Sequence, residues 1–144
     1  MSEILRIKVK KLHPAAVIPA IATAGAAGFD LVAIEDGHCH PGKVAKTPLG
    51  LAFEIPHGYC MQIVGRSGNG YKYGAGVPQG YGLIDSDYRG EVCMLLRSEL
   101  GFEWKAGDRI GQAVILPVPE LVFDEVEELG ATERGEGGFG STSK

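Results

Sequence analysis

Apolar and polar residues alternate with a period of two along much of this chain. Leu5, Ile7 and Val9 alternate with Arg6, Lys8 and Lys10, which predicts a strand with one apolar and one basic face. Leu51, Phe53 and Ile55 repeat the pattern around Ala52 and Glu54. Further short apolar runs occupy residues 59–64, 92–96, 113–118 and 121–123, and Gly or Pro punctuates most of the gaps. A sustained 3.6-residue apolar stripe is absent from the sequence. The best helix candidate is short and lies within 67–73, where glycines weaken it. Many short strands with turn signals between them predict an all-β fold, a jelly-roll-like β-barrel or sandwich with at most one short helix.

The 144 residues suit one domain with a core that stands alone, and a hydrophobic content of 44% is ordinary for one. The 22 glycines are about twice the usual share. They cluster at 65–82 and 135–140, where backbone must turn tightly or approach something closely. Residues 1–131 are expected to form the barrel. Residues 132–144 contain almost no apolar side chain except Phe139, so a mobile Gly-rich tail is expected there. An isolated aromatic among glycines has nothing local to pack on, which suits it to closing over a bound partner.

Fourteen basic and 18 acidic residues leave a net charge of −4. Binding a nucleic-acid backbone by counterion release calls for a basic excess, so no nucleic-acid partner is expected. A small polyanion can still bind where arginines, backbone amides and a divalent cation converge. The apolar runs are too short to cross a membrane and the N-terminus lacks a signal-peptide core, so a soluble cytoplasmic protein with no membrane partner is expected. Cys39, Cys60 and Cys93 cannot all pair within one chain, which fits reduced thiols. Cys60 and Cys93 lie in apolar runs and read as small core residues. His38 and His40 flank Cys39 and would share a face of a strand, where two imidazoles can meet one ion. No third or fourth ligand is evident, and a solvated loop is the expected state.

The densest chemistry lies at 82–91, where Asp85, Asp87, Tyr88 and Gly90 stand between Gly82-Leu83-Ile84 and the run from Val92 to Leu96. Such a hairpin can present a carboxylate beside a flat ring, as a water-activating base and a platform for a planar ligand require. Asp, Ser and Gly are also ordinary turn formers, so the segment taken alone reads more readily as a surface turn, and only the other unusual segments reverse that weighting. Gly65-Arg66-Ser67-Gly68 follows an apolar run and can offer a guanidinium fork, a hydroxyl and free amides to an anion, or be a corner with a solvated Arg. Asp30 sits inside the apolar run 27–31, where an acid pairs with Arg, orders water around a metal, or caps a turn. Gln112 opens the run 113–118 and can donate its amide to phosphate or to a neighbouring carbonyl. Gly135-Glu136-Gly137-Gly138-Phe139-Gly140 formally matches G-x-G-x-x-G, yet the required strand and helix do not flank it. It nearly matches a Walker loop too, with Ser141 where lysine should stand. The shared physics survives: glycine-rich amides can wrap phosphate oxygens.

In this order and spacing, the five segments resemble the five motifs of the trimeric dUTPase family, from about Ala24 to Thr142. The resemblance implies a jelly roll, a homotrimer with three sites at subunit interfaces, and Mg²⁺-aided hydrolysis of dUTP to dUMP and pyrophosphate. That reaction limits uracil incorporation into DNA and supplies dUMP for thymidylate synthesis. Carried over by residue, Asp85 resembles the general base that orients water toward the α-phosphorus. Tyr88 resembles the ring under the deoxyribose, and the backbone of Gly82, Leu83 and Ile84, with that around Cys93, the groups that pair with uracil. Arg66, Ser67, Gly68 and Gln112 resemble phosphate ligands. Asp30 is similar to the acid that holds Mg²⁺ through water, the direct ligands being triphosphate oxygens. In the tail, Arg134, Gly140 and Ser141 would bind phosphate and Phe139 would stack over uracil as the tail closes on a neighbouring subunit's site. Gln79 stands where many bacterial members have an Asn that touches uracil, and Gly65 replaces the usual Pro before Arg66. Asn69 and Ser143 also depart from the common pattern.

Two rival readings share the fold. A dCTP deaminase needs a proton shuttle at the exocyclic amine and a differently built hairpin, which Asp85-Ser86-Asp87-Tyr88 does not match. A dUTP-sensing or partner-binding protein needs no base, whereas Asp85, Arg134 and Phe139 are all present.

Overall fold

The structure is a computed structural model that describes residues 4–141. Its strands in chain order are β1 (Lys8–Lys11), β2 (Phe29–Val32), β3 (Gly37–Cys39), β4 (Val44–Glu54) and β5 (Tyr59–Val64). The helix α1 (Ser67–Tyr73) follows, then β6 (Ala75–Gly76), β7 (Gly82–Ile84), β8 (Val92–Ser98), β9 (Phe102–Trp104) and β10 (Arg109–Pro117). Two four-stranded antiparallel sheets, ordered β1-β4-β8-β6 and β2-β10-β5-β7, enclose the core, and β3 pairs with β9 in a third, smaller sheet. This is the expected all-β architecture with one short helix. Alternate residues of the strands point inward, and Leu31, Leu49, Met61, Met94, Leu96 and Ile110 are almost wholly buried between the sheets.

The strand around Leu51 departs from strict alternation. Leu49, Gly50, Leu51, Ala52 and Phe53 are all buried, and at Gly50 the 12–16 segment covers the outer face of β4. Leu12 N–H donates to the Gly50 carbonyl at 2.8 Å, and a Cβ on Gly50 would stand 3.0 Å from that of Ala16. The pairing of β4 with β8 slips between Pro48 and Leu51, a β-bulge with Gly50 at φ +66°.

Two expectations are corrected. His38 and Cys39 lie in β3 rather than a solvated loop, because Cys39 inserts its thiol into the core while its backbone pairs with Phe102. The run 121–123 forms no strand: Leu121, Val122 and Phe123 are exposed, Phe123 to 91%. Cys60 is buried as expected of a core residue, but Cys93 is half-buried and faces a cavity. At the N-terminal end the alternating pattern becomes strand only from Lys8 onward, with Leu5 exposed ahead of it.

Candidate active site

Sequence neighbours β7 and β8 do not pair as a hairpin. β7 lies on the edge of one sheet against β5, and β8 lies inside the other between β4 and β6. The connection at 85–91 therefore bridges the two sheets, and the parted strands open a cavity of about 350 Å³. Leu83, Ile84, Asp85, Tyr88 and Cys93 line it. As an edge strand, β7 has backbone amides and carbonyls on its outer side that the ladder leaves unused, fixed in direction and open to a planar ligand. A turn closed by Tyr88 N–H to the Asp85 carbonyl at 3.2 Å sets the Asp85 carboxylate and the Tyr88 ring on the same cavity. The Tyr88 hydroxyl donates to the Glu91 carbonyl at 3.0 Å, and Arg89 Nη1 donates to the Ser86 carbonyl at 2.7 Å. Asp85 is exposed on the rim, shared with a second hollow beside His57 and Tyr59.

The anion-binding candidates gather elsewhere. Gln112 on β10 is level with Asp30 on β2 and Val64 on β5, so the three strands bring motif residues into one row. Just past Val64 the chain turns, and Arg66 becomes the residue that precedes α1. Arg66 Nε donates to Asp30 Oδ1 at 3.0 Å, and Arg109 Nη1 lies 3.5 Å from Asp30 Oδ2. Gln112 Nε2 donates to the Gly65 carbonyl at 2.9 Å. Ser67 and Gly68 open the helix exposed, with no acidic side chain in its first turn. The corner thus offers a half-buried guanidinium and free helix-start amides to an oxyanion.

The cavity and this corner stand apart. Met61 is level with Ile84, so Asp85 falls at the start of β5 whereas Arg66 follows its end. At about 3.3 Å per residue that separation is roughly 20 Å within one chain. The tail adds a third isolated group. Arg134 Nε donates to the Gly137 carbonyl at 2.8 Å, Ser141 N–H donates to the Gly138 carbonyl at 3.0 Å, and Phe139 is fully exposed at φ +51°. Gly140 has φ +82°. Gln79 lies in an exposed turn before β7, outside the cavity lining.

Comparison with known proteins decides the family. The family model described as dUTPase matches residues 15–143. The chain belongs to the dUTPase family. The deoxyuridine 5'-triphosphate nucleotidohydrolase of Nautilia profundicola is 53% identical over 142 residues, covering 97% of this chain and 100% of that one. That of Helicobacter hepaticus is 47% identical, covering 99% and 91%. Among solved structures, a variant of the staphylococcal phage 80alpha dUTPase superposes with a TM-score of 0.88 at 26% identity, covering 95% and 98%. Another variant of that phage enzyme, solved with dUpNHpp, gives 0.85 at 26% identity, covering 94% and 97%. The fold is the jelly roll of dUTPases, and the chain is a dUTP diphosphatase that hydrolyses dUTP.

Lys46, Glu91 and Leu95 also line the dUTPase cavity, and sequence reasoning passed over them. Leu95 carries a faint signal, standing two residues from Cys93 and so on the same face of β8. Lys46 carries none, because it reaches the cavity only through the pairing of β4 with β8. Arg109 stands three residues before Gln112, but its ion pair with Asp30 depends on the β2–β10 register.

Proposed function

We propose that this dUTPase acts through an Asp85-held water that attacks the α-phosphorus of dUTP, with release of pyrophosphate. The supporting observation is the unpaired edge of β7 beside Asp85 and Tyr88 around a single cavity. Fixed amides and carbonyls of Gly82, Leu83 and Ile84 pair with uracil, and cytosine's reversed donor pattern leaves those groups unmatched. Tyr88 lies against the deoxyribose. Asp85 accepts a proton as the water oxygen bonds to phosphorus and the bond to the bridging oxygen breaks.

Arg66, Ser67, Gly68 and Gln112 bind the phosphates from a second copy, since they stand too far from Asp85 in one chain. Arg134, Phe139, Gly140 and Ser141 close over the site from a third, making a homotrimer with shared sites. Closure excludes water from the reaction other than the attacking one. Mg²⁺ fits the donor set as an ion carried by the triphosphate. No group of three or more His, Cys, Asp or Glu suited to a metal occurs among the described residues, and both oxygens of Asp30 already face arginines. Asp30 would hold the ion through water, and the ion would offset triphosphate charge. The helix is far too short to cross a membrane, and reduced cysteines agree with a cytoplasmic enzyme.

Pyrophosphate release from dUTP, dCTP, dTTP and UTP tests the assignment, with Asp85→Asn alongside. Removing a general base is expected to slow turnover about 10²- to 10⁴-fold. Binding of dUpNHpp should stay within a few-fold of the parent. Normal turnover by Asp85→Asn would remove Asp85 from the role of base, and release from UTP would show that the Tyr88 ring does not exclude a 2′-hydroxyl.

A further inference from the structure

His38 and His40 take no part in the catalytic reading, and the structure gives them a geometry of their own. His38 lies in β3 and His40 directly follows it, both exposed, with Nε2 atoms 3.0 Å apart and rings nearly perpendicular at 76°. Cys39 between them points the other way, its thiol directed at the Lys43 and Leu96 carbonyls inside the core. That buried anchor holds the strand, so the imidazole pair rests on a fixed backbone. Glu103 of β9 is level with His38, but among the described residues no third His, Cys, Asp or Glu joins the pair as a ligand. An N–H···N bond between two solvent-exposed imidazoles competes with water and contributes little to folding. Stability alone therefore does not account for the pair.

We propose that His38 and His40 form a bidentate site for a divalent first-row transition ion, with Cu²⁺ and Ni²⁺ preferred over Zn²⁺. Imidazole nitrogen is a borderline donor that suits these ions and not Mg²⁺. At metal–nitrogen distances near 2.05 Å, a 3.0 Å separation of the nitrogens subtends roughly 94° at the ion. That angle matches the cis positions of tetragonal or octahedral ions better than a tetrahedral site. Water completes the coordination shell. The site uses no residue that lines the cavity at β7 and does not depend on the catalytic assignments.

Titrating the full-length chain with Ni²⁺ by calorimetry, and with Cu²⁺ by its visible absorption, tests the proposal. One ion per chain is expected, with excess Mg²⁺ failing to displace it. His38→Ala and His40→Ala should each weaken binding about a hundredfold, because the second imidazole acts at high effective concentration. Both positions are exposed, so neither variant should disturb the fold, which its melting temperature will show. The double variant of His13→Ala and His57→Ala should bind as the parent does. Unchanged affinity on losing His38 or His40, or no saturable binding by the parent, would overturn the site.

Discussion

Tyr88 and Gly90 show how single residues shape the cavity proposed as the active site. With its hydroxyl on the Glu91 carbonyl, the Tyr88 ring lies over Gly90 so closely that a Cβ there would stand 2.5 Å from the hydroxyl oxygen. A side chain at position 90 would have to displace the ring from that place. Cys93, across the cavity, carries a thiol pushed above its ordinary 9.0 by burial first and by the Glu91 carboxylate second, with Lys46 partly opposing. The unfolded chain ionises this thiol first. Its contribution to stability is thus complete below about pH 9 and fades as pH rises through the higher folded value. Alkylation of Cys93 by iodoacetamide, followed by peptide mapping, should rise with pH along a curve displaced above that of a free thiol. Saturating dUpNHpp should slow it, since the proposed uracil site fills the same cavity. A curve matching the free thiol would mean that the cavity does not desolvate Cys93. Asp85, Tyr88 and Cys93 were legible in the sequence because a carboxylate, a ring and an apolar run stood within one short segment. Lys46 was not, because only strand pairing brings it there.

At the scale of elements, the β4 bulge links the fold to the site. The Gly50 amide donates to Glu91 Oε2 at 3.0 Å, and Glu91 in turn supplies the carbonyl that holds Tyr88. Gly50→Ala would meet two costs together. A left-handed backbone disfavours a side chain by about 1–2 kcal/mol, and overpacking a filled site costs about 1–3 kcal/mol more. A Cβ there would lie 2.9 Å from the Cβ of His13. Denaturant unfolding of Gly50→Ala should show a loss of roughly 2–5 kcal/mol, together with a raised KM for dUTP as Glu91 shifts. A loss below about 1 kcal/mol would mean that the 12–16 segment yields easily.

Alternation around Leu51 and 59–64 was readable as strand, whereas the parting of β7 from β8 was not. A short turn between two apolar runs ordinarily signals a hairpin, and here the turn residues serve a crossing between sheets. β3 escaped notice for a different reason. One inward residue, Cys39, is too little to make a period.

The whole molecule presents three incomplete sets of groups. The cavity holds Asp85, the corner roughly 20 Å away holds Arg66, and the tail holds Arg134 and Phe139 in turns of its own. Exposed Leu121, Val122, Phe123 and Leu129 between barrel and tail leave apolar surface that one chain does not cover. Sequence could place each set but not the distance between them, which follows from the antiparallel pairing of β5 with β7. That distance makes a prediction about assembly. Asp85→Asn and Arg66→Ala should each abolish most turnover when expressed alone. If each site takes Asp85 from one copy and Arg66 from the next, co-expressing the two in equal amounts rebuilds intact sites wherever the neighbours match. Random assembly of a cyclic homo-oligomer then restores about a quarter of parental activity. If one chain supplied both residues, every site would keep a lesion and co-expression would restore nothing. The recovered fraction therefore reports directly whether neighbouring copies share the site.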